Sequence, residues 1–106
     1  LKHTLKSCGQ VVIDQGAVSA VIKKGASLLP SGINEVSGSF AAGELIEIVD
    51  KESNQIIAKG ISQYSSQNLG QIIGFQSEAI DGILGYCPSK VIIHRDDMVL
   101  VNEGDK

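Results

Sequence analysis

The chain opens its patterned region with Val11-Val12-Ile13, a β-branched run closed by Asp14, which is the signature of a short buried strand. The period then changes. Across residues 16–24, Ala17, Val18, Val21 and Ile22 fall on one stripe while Ser19 and Lys23 fall outside it. This predicts a helix with Asp14 capping its start and Gly25 closing its end. Residues 27–33, Ser-Leu-Leu-Pro-Ser-Gly-Ile, follow neither period, and their Pro and Gly predict a shaped turn with exposed backbone groups. Strands are expected over 33–37, 45–49 and 55–61, the last two joined by the polar hairpin loop 50–54. One short helix is expected through Leu69, Ile72 and Ile73, capped by Ser65 or Ser66 and ended by Gly74. Another runs through Ile80, Ile83 and Leu84, with Ser77 as cap and Gly85 at its end. Val91-Ile92-Ile93 and residues 98–101 read as two further strands separated by the charged step His94-Arg95-Asp96-Asp97. The sum is an α+β, β-rich domain of about six short strands with two or three small helices, arranged as a partly closed barrel that removes exposed sheet edges.

Composition narrows this picture. At 106 residues the chain is one domain, long enough to bury roughly two thirds of its unfolded surface. Hydrophobic residues at 42% and charged residues at 20% exclude wholesale disorder. No apolar run approaches the roughly 20 residues of a membrane-spanning helix. A formal charge of −3 gives no general attraction to phosphate backbones or anionic lipid, so any nucleic-acid contact must come from a local patch. Cys8 and Cys87 stand far apart and outside any C-x-x-C pair, which reads as two reduced thiols. With no secretory signal in the first residues, the expected compartment is the cytoplasm. The chain starts at Leu1 and its single methionine is Met98, so it is expected to be a piece of a longer protein.

Motifs for chemistry are sparse. His94-Arg95-Asp96 spells the HRD of a protein-kinase catalytic loop, but position 101 is Val where a metal-binding Asn would stand, and no Gly-rich phosphate loop accompanies it. The triplet reads as an ordinary polar turn in which Asp96 or Asp97 accepts from nearby amides. Asp96/Asp97 and Asp50 with Glu52 are expected to be solvated turn charges, and His3 and His94 lack ligand spacing. No G-x-S-x-G is present. No catalytic, cofactor-binding or metal-binding residue is assigned. One local feature offers a binding surface: Lys23 and Lys24 end the first helix, and the loop that follows presents backbone N–H groups beside them, a geometry suited to phosphate or an acidic partner. The helix dipole favours lysines there in any case. For base stacking only Phe40, Tyr64, Phe75 and Tyr86 are available. The candidate partner-facing set is Lys23, Lys24, Gly25, Ser27, Pro30, Ser31 and Gly32.

The order of Val11-Val12-Ile13-Asp14-Gln15-Gly16-Ala17, the helix ending Lys24-Gly25, residues 27–33 and the Gly43-Glu44 strand entry resembles a PUA domain. Tyr64-Ser65-Ser66, Ser77-Glu78-Ala79-Ile80, Ile83-Leu84-Gly85-Tyr86 and His94-Arg95-Asp96-Asp97-Met98, in that order, resemble more narrowly the carboxy-terminal PUA domains of the glutamate 5-kinase family. The resemblance implies a PUA-like pseudobarrel over residues 10–102, preceded at 1–9 by a linker from a missing N-terminal kinase domain and followed at 103–106 by a frayed tail. It implies a non-catalytic accessory domain with a regulatory or interaction role, whose parent phosphorylates L-glutamate with ATP to glutamyl 5-phosphate in proline biosynthesis. ATP and Mg are then the expected cofactors of the kinase domain, and none is expected in this piece. The implied partners are that kinase domain and further copies of the parent in a homo-oligomer, with no membrane. In RNA-modifying relatives the first helix and the following loop face RNA, which here corresponds to Lys23, Lys24 and residues 27–32. An RNA-binding PUA domain of an RNA-modification enzyme is the alternative.

Overall fold

The computed structural model describes residues 9–101. In chain order these form β1 (Gly9–Ile13), α1 (Gln15–Lys23), a 3₁₀ turn (Pro30–Gly32), β2 (Ile33–Gly38), β3 (Leu45–Asp50) and β4 (Ile56–Ile61). There follow α2 (Ser66–Ile72), a 3₁₀ turn (Ser77–Ala79) that runs into α3 (Ile80–Leu84), a further 3₁₀ turn (Arg95–Asp97) and β5 (Met98–Leu100). Residues 1–8 of the expected linker and the expected tail at 103–106 lie outside the described residues. Gly9 is the first residue of β1.

The five strands make one mixed sheet in the order β2-β1-β3-β4-β5, with β1 and β3 parallel and every other pair antiparallel. Strand alternation sends Val11 and Ile13 of β1, Ile46 and Ile48 of β3 and Ala58 of β4 to one face, all fully buried. Against that face pack Val21 from α1, Leu69 and Ile72 from α2, Ile80 from α3, and Leu28, Tyr64, Ile92 and Ile93 from the connections. Asp14 accepts from the Ala17 amide at 2.8 Å and so starts α1 as its cap. Beyond the helix end at Lys24, Gly25 takes the left-handed conformation at φ +63°. Ser65 caps α2 through the Asn68 amide, and Gly85 ends α3 with φ +85°.

Four expectations need correction. Val91-Ile92-Ile93 is no strand: Ile93 makes a single antiparallel bridge to Leu28. Ile92 and Ile93 are both fully buried, and consecutive residues of a regular strand point to opposite faces, so the chain must bend there. The Ser89 hydroxyl assists by donating to the Val91 carbonyl and accepting from the Val91 amide. Ile22 leaves the core stripe and is 44% exposed, because the helix turns its buried line through Val21 with Ala17 and Val18 beside it. Ser77 is no cap: its hydroxyl donates to the Lys90 carbonyl at 2.7 Å, and a 3₁₀ turn without a side-chain cap leads into α3. In the 94–97 step the side-chain acceptor is His94 Nδ1, which takes the Asp96 amide at 3.2 Å. Among the described residues no helix is long and apolar enough to cross a membrane.

Candidate functional site

The first helix and the loop after it enclose a concavity of about 290 Å³. Its helix wall is Gly16, Ala17, Ala20 and Val21, and its loop wall includes Ser27, Leu29, Ser31 and Gly32. The loop can come so close because Gly32 carries no side chain: a Cβ there would stand 2.6 Å from the Ala17 Cβ. Asp14 is the single charged residue in the wall, and its carboxylate is already held by the Ala17 amide.

The structure divides the seven sequence-predicted positions into three groups. Ser27, Ser31 and Gly32 line the concavity, half-buried. Lys23, Lys24 and Gly25 are exposed at the carboxy end of α1, outside its wall. Pro30 is buried and starts the 3₁₀ turn, while its carbonyl accepts from the Gly74 amide at 2.8 Å; it shapes the loop from inside. Several groups expected to be open are engaged within the fold. The amides of Ala26, Leu28 and Gly32 donate to the carbonyls of Ala20, Ile93 and Leu29, and the Ser27 hydroxyl accepts from the Arg95 amide at 2.9 Å. What remains is a small-residue groove with two ammonium groups beyond one end. Of the four aromatics, Tyr64 and Phe40 are buried, which leaves Phe75 and Tyr86 exposed.

Tyr64, just after β4, ties its segment to the stretch that follows α3. Its hydroxyl donates to the Ser89 carbonyl and accepts from the Ser89 amide at 3.3 Å. Burial pushes that hydroxyl above the ordinary tyrosine range; the Ser89 amide works the other way. The buried Ser62 beside it is satisfied, donating to the Tyr64 carbonyl at 2.6 Å and accepting the Tyr64 amide at 3.1 Å. Among the described residues no group of three His, Cys, Asp or Glu side chains comes together as a metal site. His94-Arg95-Asp96 folds as the surface 3₁₀ turn, held by His94 Nδ1 and by the Arg95 amide on Ser27.

Sequence reasoning missed a second concavity, of about 450 Å³, on the outer face of the sheet at β3, β4 and β5. Leu45, Ile61 and Val99 supply its apolar surface, with Lys59, Asp96 and Asp97 also in its lining. The signal was the alternation along 55–61 and 98–101, which puts Ile61 and Val99 opposite the core-facing positions once the strand order is known.

The PUA domain family profile matches residues 9–84. The chain is 46% identical over 95 residues to a glutamate 5-kinase of Vibrio vulnificus, covering 90% of this chain and 25% of that protein. It is 52% identical over 95 residues to one from Aliivibrio fischeri, covering 90% and 26%, and 48% identical over 100 residues to one from Salinibacter ruber, covering 92% and 27%. The chain thus spans about a quarter of the length of the curated relatives it matches. Among solved structures it is similar to a PUA domain from Aeropyrum pernix K1 in a tartrate complex, with a TM-score of 0.59 and 23% identity over 82% of this chain and 41% of that one. A chain of the archaeal box H/ACA sRNP Nop10–Cbf5 complex gives a TM-score of 0.53 and 27% identity over 58% of this chain and 19% of that one.

Proposed function

This chain belongs to the PUA domain family, and from that premise we propose that it serves as the non-catalytic, carboxy-terminal accessory domain of a glutamate 5-kinase. The observation that carries the reading is 46–52% identity over about nine-tenths of this chain to glutamate 5-kinases. In that reading the remainder of a longer polypeptide transfers the γ-phosphate of ATP to the side-chain carboxylate of L-glutamate. The donor set of the described residues does not suit a Mg site, since no three candidate ligands converge. In this reading ATP and Mg are bound by the other portion of the polypeptide, where the step that consumes them takes place. The cytoplasm, where ATP and glutamate are at hand, is the compartment this reading implies, and homo-oligomers form through the parent.

The test is an assay of this 106-residue chain and of the full-length polypeptide with ATP, Mg and L-glutamate. Glutamyl phosphate is expected from the full-length protein alone. Turnover by the short chain would overturn the accessory reading, and a full-length protein without turnover would remove the kinase.

A second reading, an RNA-facing module, is favoured by the adjacent Lys23 and Lys24 beside the α1 groove and by the fold shared with a ribonucleoprotein chain. Two phosphate contacts would give a salt dependence of log K with a slope near −2. Binding of structured RNA to the full-length protein should then weaken, and its slope flatten by about that much, when Lys23→Ala and Lys24→Ala are combined. Affinity that is undetectable at low salt ends this reading.

A further inference from the structure

The outer face of β3, β4 and β5 carries Leu45, Ile61 and Val99 in one shallow depression, and Val99 is 70% exposed on the edge strand. Edge strands that present bare aliphatic side chains to water are normally shielded by charge or by a neighbouring element. Here the charges have a definite sign. The cross-strand row Glu47, Lys59, Val99 lies on this face, and Asp96 and Asp97 border the depression from the preceding turn. The depression is thus lined by two carboxylates and one ammonium, with the Glu47 carboxylate in the same cross-strand row, an acidic excess. Glu47 is further fixed by the Gln10 side-chain amide, which donates to it at 2.9 Å. Asp97 is held close over β4 because Gly60 has no side chain: a Cβ would stand 3.0 Å from the Asp97 carbonyl oxygen and 2.5 Å from Ile93 Cγ2.

Charge and tethering together select the occupant. A second copy of this face would bring its own excess of carboxylates against the first, which opposes pairing. The relatives that this chain matches are about four times its length, so in the reading above a tethered surface of the same polypeptide is within reach of this face. Even a small contact persists when the two surfaces are tethered, because a linker supplies an effective concentration in the millimolar range without new contacts. Resting on the reading above, in which this domain is about a quarter of a longer protein, we infer that the Leu45–Ile61–Val99 face seats a region of the same polypeptide outside these 106 residues. The seated surface carries an aliphatic side chain flanked by lysine or arginine. That docking fixes the orientation of the accessory domain on its neighbour.

The test places a benzophenone amino acid at position 99 of the full-length polypeptide, followed by irradiation and peptide mass spectrometry. Exposure of Val99 makes the replacement compatible with folding. The expected product is an intramolecular cross-link to an apolar residue adjacent to Lys or Arg, outside this chain. Combining Asp96→Lys with Asp97→Lys should lower its yield at least fivefold while the thermal transition of the domain is kept. Cross-links confined to residues 1–106, cross-links joining two copies, or a yield indifferent to the charge reversal would each overturn the inference. A glutamate assay on the same preparation separates the two ideas: a protein that cross-links as expected yet lacks turnover loses the kinase assignment and retains the docking face.

Discussion

Tyr64 shows how a single side chain can be read only partly from sequence. An isolated tyrosine in a polar stretch reads as a candidate for stacking on bases, yet this one is 1% exposed and its hydroxyl is hydrogen-bonded at Ser89. Tyr64→Phe keeps the ring and removes that pair, and is expected to cost about 1–2 kcal/mol in urea unfolding at neutral pH. The pH dependence has a definite sign. Because the folded hydroxyl titrates above its unfolded value, its contribution is complete below about pH 10 and is lost as the pH rises through the raised folded value. The melting temperature of the native chain should therefore fall more steeply above pH 10 than that of Tyr64→Phe. Parallel curves would show that Tyr64 does not carry the alkaline loss. At Gly32 the contact with Ala17 leaves no room for a methyl group. Gly32→Ala should cost about 1–3 kcal/mol by calorimetry and widen the α1 groove.

At the scale of elements, the local signals were strong where a side chain acts on its own neighbourhood. Asp14 three residues before Ala17, Ser65 before α2 and glycines past α1 and α3 are caps that need no tertiary partner, and all are found as read. Asp14→Ala should cost about 1 kcal/mol and expose the first-turn amides of α1 to faster hydrogen exchange. Ser77 failed as a cap because a distant acceptor, the Lys90 carbonyl, took its hydroxyl. The run 91–93 failed as a strand for a related reason: burying both Ile92 and Ile93 takes precedence over β propensity. The candidate surface was legible to a similar degree. Ser27, Ser31 and Gly32 do meet around one concavity. Pro30 is turned inward, and the amides of Ala26, Leu28 and Gly32 are engaged by the fold.

At the scale of the whole molecule, the join between first and last thirds of the chain is what closes the core. Leu28 bridges Ile93, with mutual backbone bonds to residues 92 and 93, and the Ser27 hydroxyl receives the Arg95 amide next to it. Leu28→Ala leaves a cavity at this closure and should cost about 2–5 kcal/mol, lowering the denaturation midpoint of the entire domain rather than of one element. A midpoint unchanged within error would mean that the seam contributes nothing to the cooperative unit. The sequence by itself determined the strands other than 91–93, the helices and the caps at Asp14, Ser65, Gly25 and Gly85, since each depends on residues within a few positions of one another, and the order of those segments along the chain carried the β-rich class and the family resemblance. Only the tertiary structure decided the strand order β2-β1-β3-β4-β5, which buried aromatic would anchor the core, and the outer apolar face at Val99. Those outcomes depend on pairings across dozens of residues, where many alignments satisfy the local pattern and close packing of one shared core selects among them.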